Sequence, residues 1–146
     1  MSLLIRNDQL INIVFHYLEV SNQHVSRFQF IQSKEDFEKH KNDPNFKELN
    51  TSWQIMTWAE HNKVYSQCIQ YTTNEEGIQL SNLDFIKFRD LKLKTCLKNW
   101  DLKDDTGRLV NITSSVIDQL HPQVADELLA GFERMTEVSS PKTKES

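Results

Sequence analysis

Between Leu10 and Val20 the apolar side chains fall on alternate positions, with Ile11, Ile13, Phe15 and Tyr17 two apart. That spacing limits the fold more than any other feature, because period two puts all four on one face of a strand. After a polar break, "SNQH", the segment Val25 to Gln32 places Phe28 and Phe30 on one face as well. Two such runs joined by a short polar stretch predict an antiparallel hairpin over residues 10–32. A first helix competes, since Leu10, Val14, Tyr17 and Leu18 also fit a helical stripe. The hairpin is the reading adopted. A lone hairpin is marginal in water, so it must pack on helices or on a partner's strands.

Everything after the hairpin reads as helix. The 146 residues hold only 3 Gly and 3 Pro, which argues against many tight β-turns. Ser33 and Asp36 have capping-box spacing at the head of "SKEDFEKHKND". A second helix is expected from about Ser52 to about Tyr71, leaving through a turn at Gly77. A third follows a cap at Ser81 or Asn82, with Leu93, Cys96, Leu97 and Trp100 at i, i+3, i+4 and i+7. "TSSVIDQL" is a short capped helix, and Pro122 opens a last one with Val124, Leu128, Leu129 and Phe132 on its apolar side. The expected fold class is therefore mainly α: one compact helical domain over 1–138, with a small N-terminal β-hairpin at 10–32 and helices through 33–136. "SSPKTKES" carries no apolar side chain, so 139–146 is expected to be a disordered tail.

The stretch "WQIMTWAEHNKVY", Trp53 to Tyr65, could suggest a Glu60/His61 acid–base pair. Helical neighbours i and i+1 point in different directions, so these two cannot converge on one substrate atom. The histidines 16, 24, 40, 61 and 121 are scattered, and Cys68 and Cys96 have no CxxC partner, so no metal site is expected. Neither clustered glycines nor a GxSxG nucleophile signature is present. No catalytic residue and no cofactor is assigned, and the chain is read as a non-enzyme.

Binding is the remaining class. Net charge is −4, which gives no general attraction to nucleic acid. The basic stripe Lys87, Arg89, Lys92, Lys94, Lys98 reads as a solvated face balanced by Asp84, Asp90 and Asp101. No apolar run is long enough for a membrane span, and the first residues lack signal-peptide order, so an intracellular protein is expected, its cysteines reduced. Trp53, Met56, Trp58, Val64 and Trp100 are the candidate partner-binding residues: they could line an adaptable groove for amphipathic helices, with core packing as the simpler role for each. Alanine at Trp58 is expected to weaken partner binding with little loss of fold.

Two stretches carry a family resemblance. One is "TSWQIMTWAEHNKVY"; the other runs from Leu91 to Met135, with Trp100-Asp101-Leu102, an acidic turn ending in Gly107, a capped short helix, and Leu120-His121-Pro122-Gln123-Val124 opening the last helix. Over its C-terminal two thirds the chain resembles the small tail-assembly chaperone-type proteins of long-tailed bacteriophages. The resemblance implies a non-enzymatic protein that binds the long helical tape-measure protein, or another tail protein, in the host cytoplasm. It also implies absence from the finished virion, and a short form beside a longer frameshifted one. Two other classes stay open: a structural virion protein (head–tail completion or tail component), whose sheet could pair with a neighbour's, and a small protein-binding regulatory factor. Neither nucleic acid nor membrane is an expected partner. Monomer, dimer and ring fit the sequence equally.

Overall fold

The computed structural model describes residues 3–137 apart from 7 and 23. The tail expected to be disordered, 139–146, lies outside the described residues.

The chain forms β1 (Ile11–Ser21), β2 (Ser26–Phe30), α1 (Lys34–His40), β3 (Phe46–Trp53), α2 (Trp58–Cys68) and β4 (Ile69–Thr73). It continues as β5 (Gln79–Leu83), α3 (Phe85–Cys96), β6 (Leu97–Trp100), α4 (Ser114–Asp118) and α5 (Pro122–Thr136). β1 and β2 pair as the N-terminal hairpin, Tyr17 opposite Phe30 and Glu19 opposite Phe28. They are only half of a four-stranded antiparallel sheet ordered β2-β1-β3-β6, and β4 and β5 form a second, two-stranded sheet. The protein is mixed α/β, and the mainly helical fold expected over 33–136 is corrected.

Each strand escaped the helical reading for its own reason. In β3 the inward residues are Leu49, Thr51 and Trp53, and the threonine breaks the apolar alternation. Thr51 is tolerated at 3% exposure because its hydroxyl donates to the Ile13 carbonyl at 2.7 Å and accepts from Trp53 Nε1 at 2.6 Å. In β6, Leu97 and Trp100 are three apart yet both buried. The β3–β6 register shifts between Ser52 and Trp53, so Leu97 faces Trp53 while Trp100 faces Thr51. An irregularity of this kind turns period two into an apparent period three, which mimics a helix continuing from Leu93 and Cys96.

The expected helix over 52–71 is three elements. Ser52 and Trp53 end β3. α2 starts at Thr57, whose hydroxyl caps Glu60 N while Glu60 caps Thr57 N. After Cys68 the chain turns extended at Ile69 (φ −82°, ψ 130°), where Ile, Tyr and two Thr suit a strand. α3 is capped by Asp84, which accepts from Lys87 N at 3.1 Å, rather than by Ser81 or Asn82. Ser33 caps α1 and His121 caps α5 ahead of Pro122.

One face of the larger sheet carries the core. Ile13, Phe15, Leu49, Trp53 and Trp100 pack against Leu93 and Cys96 of α3, Ile117 of α4, and Leu128, Leu129 and Phe132 of α5. The Trp53 and Phe132 rings stack at 4.7 Å and 12°. Gly131 lets α5 approach β1 closely, since a Cβ there would meet the Phe15 ring. On the opposite face Phe37 of α1 closes over His16 and Phe46, with ring centroids 4.9 and 5.7 Å away.

The basic stripe, on α3 except for Lys98 of β6, ties the helical layer together. Arg89 pairs with Asp126 at 2.7 Å, Lys92 with Glu133 and Glu137 at 3.0 and 2.8 Å, and Lys94 with Asp90 and Asp118 at 2.9 and 2.6 Å. Burial pulls the Lys92 ammonium down, and its bonds to Glu137 and Glu133 more than offset this. Among the described residues only Lys87 and Lys98 of the stripe stand outside such pairs.

Candidate functional site

The residues singled out from the sequence do not form one groove. Trp53 has 0% exposure, and Val64 and Trp100 are also buried. Met56 is half-buried and packs on the core cluster. Trp100 Nε1 donates to the Val110 carbonyl at 2.7 Å, which anchors the loop after β6. Only Trp58, first residue of α2, is open to solvent, at 83%. Trp53, Val64 and Trp100 are therefore packing residues: with 0%, 6% and 7% exposure they offer a partner almost no surface.

Glu60 and His61 are equally accounted for. The Glu60 carboxylate accepts from Thr57 N at 2.9 Å as half of the capping box, and that bond holds it below the usual carboxylate range. His61 stacks on Tyr65 at 5.8 Å, with Phe88 edge-on at 6.1 Å. Burial pushes the Cys96 thiol up to about 11, far from the thiolate that nucleophilic attack needs. Cys68 and Cys96 are both free and buried. Among the described residues no group of three or more His, Cys, Asp or Glu is arranged to hold a metal ion. No helix among them is long and apolar enough to cross a membrane.

The site that tertiary structure builds lies elsewhere. The core face of the sheet extends past the end of α5, and the uncovered part is the floor of a cleft of 830 Å3. That volume falls in the range of ordinary binding pockets. Tyr17, Phe28 and Phe30 supply one wall, Leu49 the back, and Leu102, Leu120 and Val124 the other wall. The β1–β2 register brings the rings together: Tyr17 lies 6.1 Å from Phe28 and 5.6 Å from Phe30, and Phe28 lies 5.1 Å from His121. All three are half-buried, their alternation aimed at a core that stops short of covering them. Burial, with Glu19 nearby, raises the Tyr17 phenol above its ordinary value.

The rim is charged. Glu19, Asp101, Asp104 and Asp105 face two lysines, Lys47 and Lys103, while the Glu48 carboxylate turns to His16 on the opposite face of the sheet. Lys47 is taken by Glu19 at 2.8 Å, the hydrogen bond that raises its pKa. Asp101 accepts from Asn50 N and Nδ2 at 2.9 and 2.7 Å, pinning the loop to β3. Asp104 accepts from Thr106 Oγ1 at 2.6 Å and from Arg108 N at 3.0 Å, bonds that keep it ionised below the usual range. Gly107 completes that turn at φ 83°, where a side chain would be strained. Asp105 has no ion-pair or hydrogen-bond partner among the described residues.

Sequence reasoning aligned Phe28 with Phe30 but could not see that Leu102, Leu120 and Val124 face them across a gap. The signal present was the acidic turn "DLKDD" beside two aromatic strands; its meaning depends on a contact between residues about 80 positions apart, beyond any local pattern. In comparison with known proteins, the chain matches no family model, no curated protein and no solved structure.

Proposed function

We propose that this is a non-catalytic protein-binding module, and that it serves as a tail-assembly chaperone of a long-tailed bacteriophage. The cleft carries the first part: an apolar floor of half-buried rings and aliphatics under a charged rim, with no nucleophile–base pair among its lining residues. The second part rests on the resemblance over Leu91 to Met135. Those residues include the Asp101–Asp105 loop, Gln119 to His121 and Val124 at the start of α5, which form one wall of the cleft. On this reading the protein acts in the host cytoplasm, keeps a tape-measure protein soluble, and is left out of the virion.

The test is a pull-down of the tagged protein from phage-infected lysate, beside quantitative mass spectrometry of purified virions. Recovery of one very long helical tail protein, with the bait missing from virions, is expected. A fixed copy number in virions would assign a structural tail or head–tail role instead. A stable host partner with no phage protein would make it a regulatory factor. Trp58→Ala is a second handle: at 83% exposure it should leave stability within about 0.5 kcal/mol, so any loss of capture reports binding.

A further inference from the structure

We propose that the cleft is a docking site for a cationic amphipathic helix of a partner protein, its apolar stripe on the aromatic floor and its Lys or Arg side chains facing the acidic rim. The inference rests on the protein-binding role above but not on the phage assignment.

Charge complementarity sets the partner's sign. Four carboxylates, Glu19, Asp101, Asp104 and Asp105, and two lysines line the opening, and Lys47 is already committed to Glu19. Asp105 is unpaired among the described residues, and Asp104 is held ionised by its own turn. An anionic or zwitterionic segment would meet this rim with like charge, whereas Lys or Arg beside an apolar stripe meets it with opposite charge. Arg108 sits on the same turn but does not line the opening.

The backbone around the cleft favours a helix over an added strand. β2 is an edge of the sheet, yet the Phe28 carbonyl on that edge already accepts from Gln123 Nε2 of α5. Gln32 Nε2, just past β2, donates to Glu127 at 2.7 Å. With the Phe28 carbonyl taken and Gln32 tied to α5, a partner strand would meet an interrupted edge there, which favours recognition by side chains dropped into the cleft. A helix offers such anchors at i, i+3 or i+4, and i+7, about 10 Å along its axis.

The test uses the full chain and three synthetic peptides of about 14 residues, roughly four helical turns. One alternates Leu and Lys at helical spacing, one puts Glu in place of Lys, and one puts Ser in place of Leu. Fluorescence anisotropy reads affinity, and 15N-resolved chemical-shift changes read the site. The Leu/Lys peptide should bind with shifts at Phe28, Phe30, Leu102 and Leu120. It should weaken about tenfold in Asp105→Lys, and weaken again as salt rises from about 50 to 300 mM. Phe28→Thr should weaken it while leaving salt dependence intact. Binding of the Leu/Glu peptide with equal affinity, an unchanged affinity in Asp105→Lys, or shifts confined to α2 and α3 would each overturn the proposal. So would a concentration-dependent dimer whose shifts map to the cleft without peptide, which would make a second copy the occupant. Equal binding of the Ser/Lys peptide would reduce the site to unspecific charge attraction and also overturn it. Because no phage protein is used, failure here leaves the lysate result standing, and the reverse holds as well.

Discussion

Gly131→Ala sets two physical effects against each other at one atom. Gly131 is buried on α5, and glycine inside a helix costs about 1 kcal/mol relative to alanine. Helix propensity alone therefore predicts stabilisation. The new Cβ, however, would lie 2.7 Å from Phe15 Cζ and closer still to Cε1. Ordinary carbon contacts sit near 3.5–4.0 Å, so the ring tip must retreat by roughly 1 Å. Phe15 is 6% exposed and its ring stands edge-on to Phe30 at 6.4 Å and 88°, so retreat disturbs a second ring. A clash this close against a buried ring falls in the upper part of the overpacking range, about 2–3 kcal/mol, which outweighs the propensity gain and leaves a net loss of about 1–2 kcal/mol. For a chain of this size that is a fall in Tm of about 3–8 °C, read by calorimetry. Phe15→Leu removes the clashing ring atoms. In that background Gly131→Ala should become stabilising by about 0.5–1 kcal/mol, a coupling that a double-mutant cycle isolates. A rise in Tm for Gly131→Ala in the native background would refute the close approach of α5 to β1.

Three further outcomes follow from named contacts. Thr51→Val keeps the shape of the side chain but strips the partner from Trp53 Nε1 at 0% exposure; a loss of about 2 kcal/mol in urea unfolding is expected, and a loss under about 0.5 kcal/mol would sink that account. Glu60 has a depressed carboxyl, so its contribution is present above the ordinary glutamate value and disappears as pH falls through its folded value. Glu60→Gln should flatten the acid limb of the stability–pH curve, and an unchanged limb would count against the capping box. Lys92→Met removes the pairs to Glu133 and Glu137, whose carboxylates are open enough to hydrate; the expected loss is about 1 kcal/mol at low salt and less at high salt, and salt-independence would show that packing of the lysine stem is the larger effect.

Local chemistry settled what depends on a few neighbouring residues. The alternation from Ile11 to Tyr17 specifies a strand, and its pairing with the Phe28–Phe30 run specifies the hairpin. The caps at Ser33 and Pro122 start helices because a hydroxyl or a fixed φ acts within one turn. The sequence also shows that Glu60 and His61 cannot converge once they lie on a helix, because adjacency there separates their directions. Scarcity of Gly and Pro misled, because most strands here are joined by helices and longer loops and need few tight turns. Tertiary structure decided the rest. Whether Leu97 and Trp100 belong to a helix or a strand depended on β3 and the irregular register beside it. Whether a tryptophan is buried or exposed depended on what covers it: Phe132 covers Trp53, and solvent surrounds Trp58. The cleft exists only because α5 ends its cover short of Tyr17, Phe28 and Phe30. Burial is a property of the assembled layers, and a one-dimensional pattern carries the period of a face without saying how far its neighbour extends.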